Sequence, residues 1–309
     1  MEKKKKIQSI NAASAEEFVN ALRGTAPHWN GGQRDRWLFR GQRDARWGLV
    51  PSALRQKAQL SYADKSVRGP QPDVRDQAIL EARLAYHFLA AADRLGLPVP
   101  GDSYFMRSPQ AWAEVIEPSI NRNEWPPDAM TELLAIAQHH GVPTRLIDFS
   151  HSAMKATYFA ASGALAWSRA PRKRDRPTKT ARFALWALNL TVLHGIRNGG
   201  ETTINVVTVP RAQNRFLHAQ DGVFLFDRNA YVAETAPTRM EQVFFAWENA
   251  LKGAGSLSAN DHLVMTVTAP VTEAEAVLRI LWDEGIDEAS LMPTYDNVVR
   301  HLERQRDGL

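Results

Sequence analysis

The sequence predicts an α+β fold with a helix-rich N-terminal half and a mixed β core. Three observations carry this. Helical patterns dominate before residue 168, β-rich stretches fall mostly after residue 182, and no regular strand–helix–strand alternation appears. No repeat at a solenoid period is present. Ala15 to Leu22 reads as a first helix, with Ser14 as its N-cap and Glu17 at the capping-box position. Pro27 to Gly32 is a loop, Trp37 to Phe39 a short strand, and Val50 to Leu54 a turn that Pro51 begins as a helical residue. Gly69-Pro70-Gln71-Pro72 breaks the chain. Val74 to Leu95 is a long helix with Ala78, Ala82, Ala85 and Leu89 on one side, ended by Gly96 and Pro98. Asp128 caps the next helix, which runs to His140 and stops at Gly141. A further helix spans Ser152 to Trp167. Strands are expected at Arg182 to Leu190, Thr202 to Val209, Val223 to Phe226 and His262 to Thr268, and helices at Arg239 to Leu251, Glu273 to Glu284 and Pro293 to Arg304.

The chain has 309 residues and no cysteine, which removes disulfides, thiolate metal sites and a cysteine nucleophile. No segment is apolar for long enough to span a bilayer, and the lysine-rich start lacks the apolar core of a signal peptide. A cytoplasmic location without membrane contact is expected. The net charge is +4, but its placement says more: residues 2–6 carry +3, residues 169–182 carry +6, and −5 is left for everything else. A basic segment of this kind either solubilises a loop, meets an acidic protein, or contacts phosphates through Arg172, Lys173, Arg174, Arg176 and Lys179. Residues 1–10 are expected to form a basic flexible tail and 11–309 a single domain with a basic loop at 169–182.

A phosphate-cradling Walker loop, a three-glycine dinucleotide fingerprint, H-E-x-x-H and G-x-S-x-G are all missing. The densest polar segment is LLAIAQHHGVPTRLIDFSHSAMKATYFAASGALAW, where Gln138, His139 and His140 end one helix, and Thr144, Arg145, Asp148 and Ser150 alternate with Leu146, Ile147 and Phe149 before the next. Such groups between buried helices need partners. They form either a structural network, with Asp148 capping the following helix and pairing with Arg145, or a site. In NRFLHAQDGVFLF, Arg215, Gln220, Asp221 and Gly222 precede a strand, where Asp-Gly also reads as a plain turn. In WLFRGQRD, an apolar run ends on Arg40-Gly41, which marks either a strand end or a cleft that meets an anion.

These blocks, LFRGQ at 38–42, the segment at 133–161 and RFLHAQDGVF at 215–224, together with EAVLRILWDEGIDEASLMPTYDNVVRHL at 275–302, resemble the FRG-domain family. They also resemble the ground plan of ADP-ribosyltransferases: an aromatic-Arg-Gly strand, a serine-containing strand running into an A-x-x-F-A-type helix, and a third polar element beside a strand. That resemblance implies an ADP-ribosyltransferase-like β core and NAD as co-substrate, with no metal. It further implies a toxin or phage-defence effector that modifies RNA or DNA, or less readily a protein, and that an antitoxin holds in check.

It assigns Arg40 to the diphosphate, since a planar guanidinium forms bidentate charge-assisted bonds. Gly41 is expected to let the ligand approach the backbone, with Gln42 beside it. Ser150 is expected on the ribose, Tyr158 or Phe159 on nicotinamide, and His139 or His140 on adenosine or as acid/base. Thr144, Arg145 and Asp148 complete the binding set. The family's glutamate is replaced by Gln220 and Asp221; Gln220 accepts a hydroxyl hydrogen bond but carries no charge, and Glu241 is a further candidate. Two other readings stand beside this one. The first is a nuclease or hydrolase using His139, His140 and Asp148, which is weakened because adjacent helical residues point about 100° apart. The second is a binding module for NAD or nucleic acid without chemistry.

Overall fold

The computed structural model describes residues 7–29, 32, 36–55, 74–99, 101–198, 202–210, 215–230 and 239–307. The breaker cluster at 69–72 and the lysines at 3–6 lie outside them. A seven-stranded sheet organises the chain, in the order β1-β7-β4-β2-β3-β6-β5. Its strands are β1 (Gln8–Asn11), β2 (Trp37–Gln42), β3 (Ile147–Ser150), β4 (Arg182–Asn189), β5 (Ile204–Val207), β6 (Gly222–Asp227) and β7 (Val264–Pro270). Only β1 and β7 run parallel; the other neighbours are antiparallel. The helices are α1 (Ala15–Leu22), α2 (Val74–Arg94), α3 (Pro109–Ala111), α4 (Glu117–Asn121), α5 (Thr131–His139), α6 (Ala153–Ser168), α7 (Leu190–Asn198), α8 (Arg215–Ala219), α9 (Met240–Gly253), α10 (Ala274–Asp283), α11 (Glu288–Leu291) and α12 (Tyr295–Asp307). No helix among the described residues is long and apolar enough to cross a membrane.

Strand alternation sorts the core into layers. Phe39, Phe183, Leu185 and Val267 pack on one face beneath α1, α6 and α10. Leu38, Ile147, Phe149, Trp186 and Leu225 pack on the opposite face against Leu193 of α7 and Phe244 of α9. A third cluster joins α2, the 109–121 helices and α5 to Phe224 and Phe226 of β6. Phe224 and Phe226 alternate with Val223 and Leu225, so this cluster shares the face of the first. Two helical layers therefore stand on one side of the sheet. Between them lies β3, whose Asp148 and Ser150 alternate with the buried Ile147 and Phe149. Polar side chains are thus aimed into the gap that the layers leave.

Several expectations shift. Gln8 to Ile10, placed in the basic tail, pair with Met265, Thr266 and Val267 in the parallel strand β1. β2 continues through Arg40 and Gly41 to Gln42. Asp128 starts a separate 3₁₀ turn, with Pro127 ahead of it, and α5 begins only at Thr131. The cap of α6 is Ser152, whose hydroxyl accepts from Lys155 N, and not Asp148. Arg145 pairs with Glu81 instead of Asp148: Nε lies 2.7 Å from Oε2, and both side chains are fully buried. Trp125 Nε1 and Gln77 Nε2 donate to the same carboxylate, while Arg145 Nη1 donates to the carbonyls of Trp125 and Arg228. This satisfied buried network ties the 144–146 turn to α2.

Candidate ligand cleft

β2 and β3 are joined by one pair, Phe39 with Ser150, and separate beyond it. The gap is filled by Arg40. Its Nη1 donates to Asp148 O at 2.7 Å and approaches Asp148 Oδ2 at 3.4 Å, while its buried Nε has no hydrogen-bond partner. A buried donor left unmade is costly, so a ligand acceptor here has an energetic reason to bind. Asp148 remains 59% exposed and holds the centre of the region.

Three adjoining pockets of about 210, 270 and 220 Å³ share Asp148 as a wall. Arg40, Gly41, Ser150, Phe159 and Gln220 line the first. Gln138, His139, Phe159, Gln220 and Met292 line the second. Arg40, Ser52, Arg55 and Gln138 line the third. Arg55 carried no signal in the sequence. Burial and the nearby Arg40 guanidinium lower its pKa, and Asp148 opposes them. Two guanidiniums around one carboxylate leave net positive charge, which suits a dianionic ligand.

A relay orients Asp148. Thr144 Oγ1 donates to Gln138 Oε1, and Gln138 Nε2 donates to Asp148 Oδ1. Thr144 therefore acts behind the cleft wall and does not line it. Ser150 lines the cleft, but its hydroxyl donates to Gln220 O at 2.7 Å and accepts from Ser152 N at 3.0 Å. It fastens the segment carrying Gln220 to β3, so its hydroxyl proton is not available to a ribose. Gln220 Nε2 donates to Leu291 O at 3.3 Å, leaving Oε1 as the acceptor of that side chain. Leu291 and Met292 come from the C-terminal block that resembled the family but named no site residue.

His139 stands on the rim with its ring 4.5 Å from Phe216, centroid to centroid. Desolvation first, and His140 second, lower its pKa against the pull of Asp148, so the ring is neutral near pH 7. That fits stacking or hydrogen-bond acceptance better than pairing with a phosphate.

Other expected residues stand elsewhere. His140 is exposed and lines none of the three pockets. Tyr158 lines none of the three pockets; burial and Glu288 raise its pKa, and Arg304 opposes them. Gln42 is buried, accepting from Trp186 Nε1 and donating to Gly48 O. Arg145 belongs to the buried network with Glu81. Asp221 adopts a left-handed turn (φ 48°) and pairs with Lys155 at 2.7 Å, outside the three pockets. Glu241 is buried and accepts from Leu49 N, a structural bond. Gly41 lines the cleft, yet its missing Cβ has a different cause. A Cβ there would stand 2.1 Å from Ala156 O and 2.7 Å from Ala160 N, so glycine is what lets α6 lie against β2. Arg172, Lys173, Arg174, Arg176 and Lys179 are all exposed. Their loop follows the far end of α6, whereas the cleft uses Ala156 and Phe159 nearer its start. Arg182 leaves this group: as the first residue of β4 it donates to Thr268 Oγ1 and O.

Among the described residues no cluster of three His, Asp or Glu side chains stands together as a metal site. Residues 35–168 match the family model of the FRG domain. That segment supplies β2, α2, α5, β3 and α6, and so most of the cleft; Gln220, Gly222 and Met292 come from beyond it. No curated protein and no solved structure matches the chain.

Proposed function

We propose that the cleft binds NAD and transfers its ADP-ribose to an acceptor. The observation that carries this reading is the meeting of Arg40, Gln220 and Phe159, from three distant segments, around one carboxylate. Arg40 and Arg55 hold the diphosphate, and the unpartnered Nε of Arg40 gains an acceptor. Phe159 packs against nicotinamide. Gln220 Oε1 accepts a hydrogen bond from a ribose hydroxyl. The bond between ribose C1′ and the nicotinamide nitrogen breaks, and its electron pair leaves with nicotinamide. Asp148, held by the Gln138 relay, supplies the negative charge that stabilises the cationic sugar, a role open because Gln220 is neutral and Asp221 is paired with Lys155. An acceptor nucleophile then bonds C1′ and releases its proton to water or to neutral His139.

A binding module without chemistry is the second reading, favoured by the uncharged Gln220. Incubation with NAD labelled in the adenylate half separates the two. Nicotinamide release with label moving to an acceptor supports transfer. Saturable NAD binding with neither product supports the binding module. Nucleic-acid cleavage without NAD contradicts both.

A further inference from the structure

The cationic loop at 169–182 has no aromatic residue of its own, and the side chains beside it supply aromatic rings. Arg43 follows directly on β2, and its guanidinium lies 4.9 Å from the Trp47 ring centroid and 5.9 Å from that of Trp167. Trp167 Nε1 donates to Asp175 O within the loop, and Arg176 Nε donates to Ala170 O, so the loop is tied to the end of α6. Ala45 N donates to Arg182 O, which brings the 43–47 turn against the loop's other end. The carboxylates nearby are already engaged: Asp44 by Arg46, Glu275 by Arg169, and Asp175 lies 3.9 Å from Arg174. Among the described residues Arg172, Lys173 and Lys179 form no ion pair. Trp47 is 41% exposed, a large apolar ring left open beside excess positive charge.

We infer that this surface binds single-stranded nucleic acid, with phosphates on the loop cations and an unpaired base on the exposed Trp47 ring. Unpaired bases stack on exposed aromatic rings, and cations follow the backbone; a duplex hides the base faces. Arg40 in the cleft and Arg43 on this surface are three residues apart on one extended segment, about 10 Å. That spacing is short enough for a strand held on this surface to extend to the cleft mouth. That the strand is the acceptor for ADP-ribose rests on the NAD reading above; that it binds does not.

The test measures binding of the full chain to a fluorescein-labelled single strand of about 20 nucleotides, without NAD, across a salt series. Trp47→Ala is expected to weaken binding about 10-fold at fixed salt. Arg172→Glu, Lys173→Glu and Arg174→Glu together are expected to weaken it more than 10-fold and to reduce the salt slope by about 2. Trp47→Phe keeps a stacking face and restores most of the affinity. Arg40→Ala retains strand binding, so loss of the NAD reaction and loss of this surface are separate results. Wild-type affinity in both the Trp47→Ala and the charge-reversed proteins overturns the inference. So does binding of a matched duplex as tight as that of the single strand, or no strand binding at all.

Discussion

Arg40 is the residue on which the proposed chemistry turns, and it was visible in the sequence because a charge ended an apolar run. Its partners were not visible. Asp148 is 108 residues away, and Arg55 sits beside it only through the path of the 50–55 turn. Asp148→Asn removes the cleft's central carboxylate and is expected to lower NAD turnover about 100-fold with little change in melting temperature, since that side chain is 59% exposed. Steady-state assay beside thermal unfolding checks it. Gly41 was equally visible but for the wrong reason. Gly41→Ala forces a methyl group against Ala156 O, so it is expected to destabilise the whole fold by about 1–3 kcal/mol. Urea unfolding that leaves the Gly41→Ala midpoint unchanged contradicts this packing role.

At the scale of elements, β3 was readable from alternation alone: Ile147 and Phe149 inward, Asp148 and Ser150 toward the cleft. The long helix α2 was equally clear from its alanine and leucine spacing. α7 was missed because the expected strand ran one residue into it and Thr191 and Val192 continue a β-like pattern; the structure turns helical at Leu190. β1 was hidden behind lysines, and its strand depends on an edge of β7 supplied 257 residues later. The join between α9 and β7 offers a pH test. Burial would raise the Glu248 pKa, but bonds from His262, Lys252 and the Val264 and Leu263 N–H groups outweigh it and lower the value from 4.5 to about 2. This carboxylate binds protons less readily folded than unfolded. Its stabilisation is therefore present above pH 4.5 and is lost as pH falls toward 2. Glu248→Gln is expected to cost about 2–3 kcal/mol at pH 7 and progressively less on acidification. Chemical denaturation at several pH values measures that convergence.

Over the whole molecule, the cleft exists because two helical layers cover one sheet face and leave β3 between them. The sequence announced the layers as separate amphipathic helices; the pairing of Arg145 with Glu81, 64 residues apart, that holds one layer to the sheet left no local pattern. Glu81→Ala strands a buried guanidinium and is expected to cost about 3–5 kcal/mol, whereas replacing both partners with methionine costs less. Comparing the single and double variants by urea unfolding tests the ledger of that pair. The NAD reading of the gap between the layers meets its sharpest test in nicotinamide release from NAD in the presence of single-stranded nucleic acid, comparing wild type with folded Arg40→Ala. Release by the wild type, reduced at least 100-fold in the variant, is the predicted result. Equal release by both proteins, or neither release nor NAD binding by the wild type, contradicts that reading.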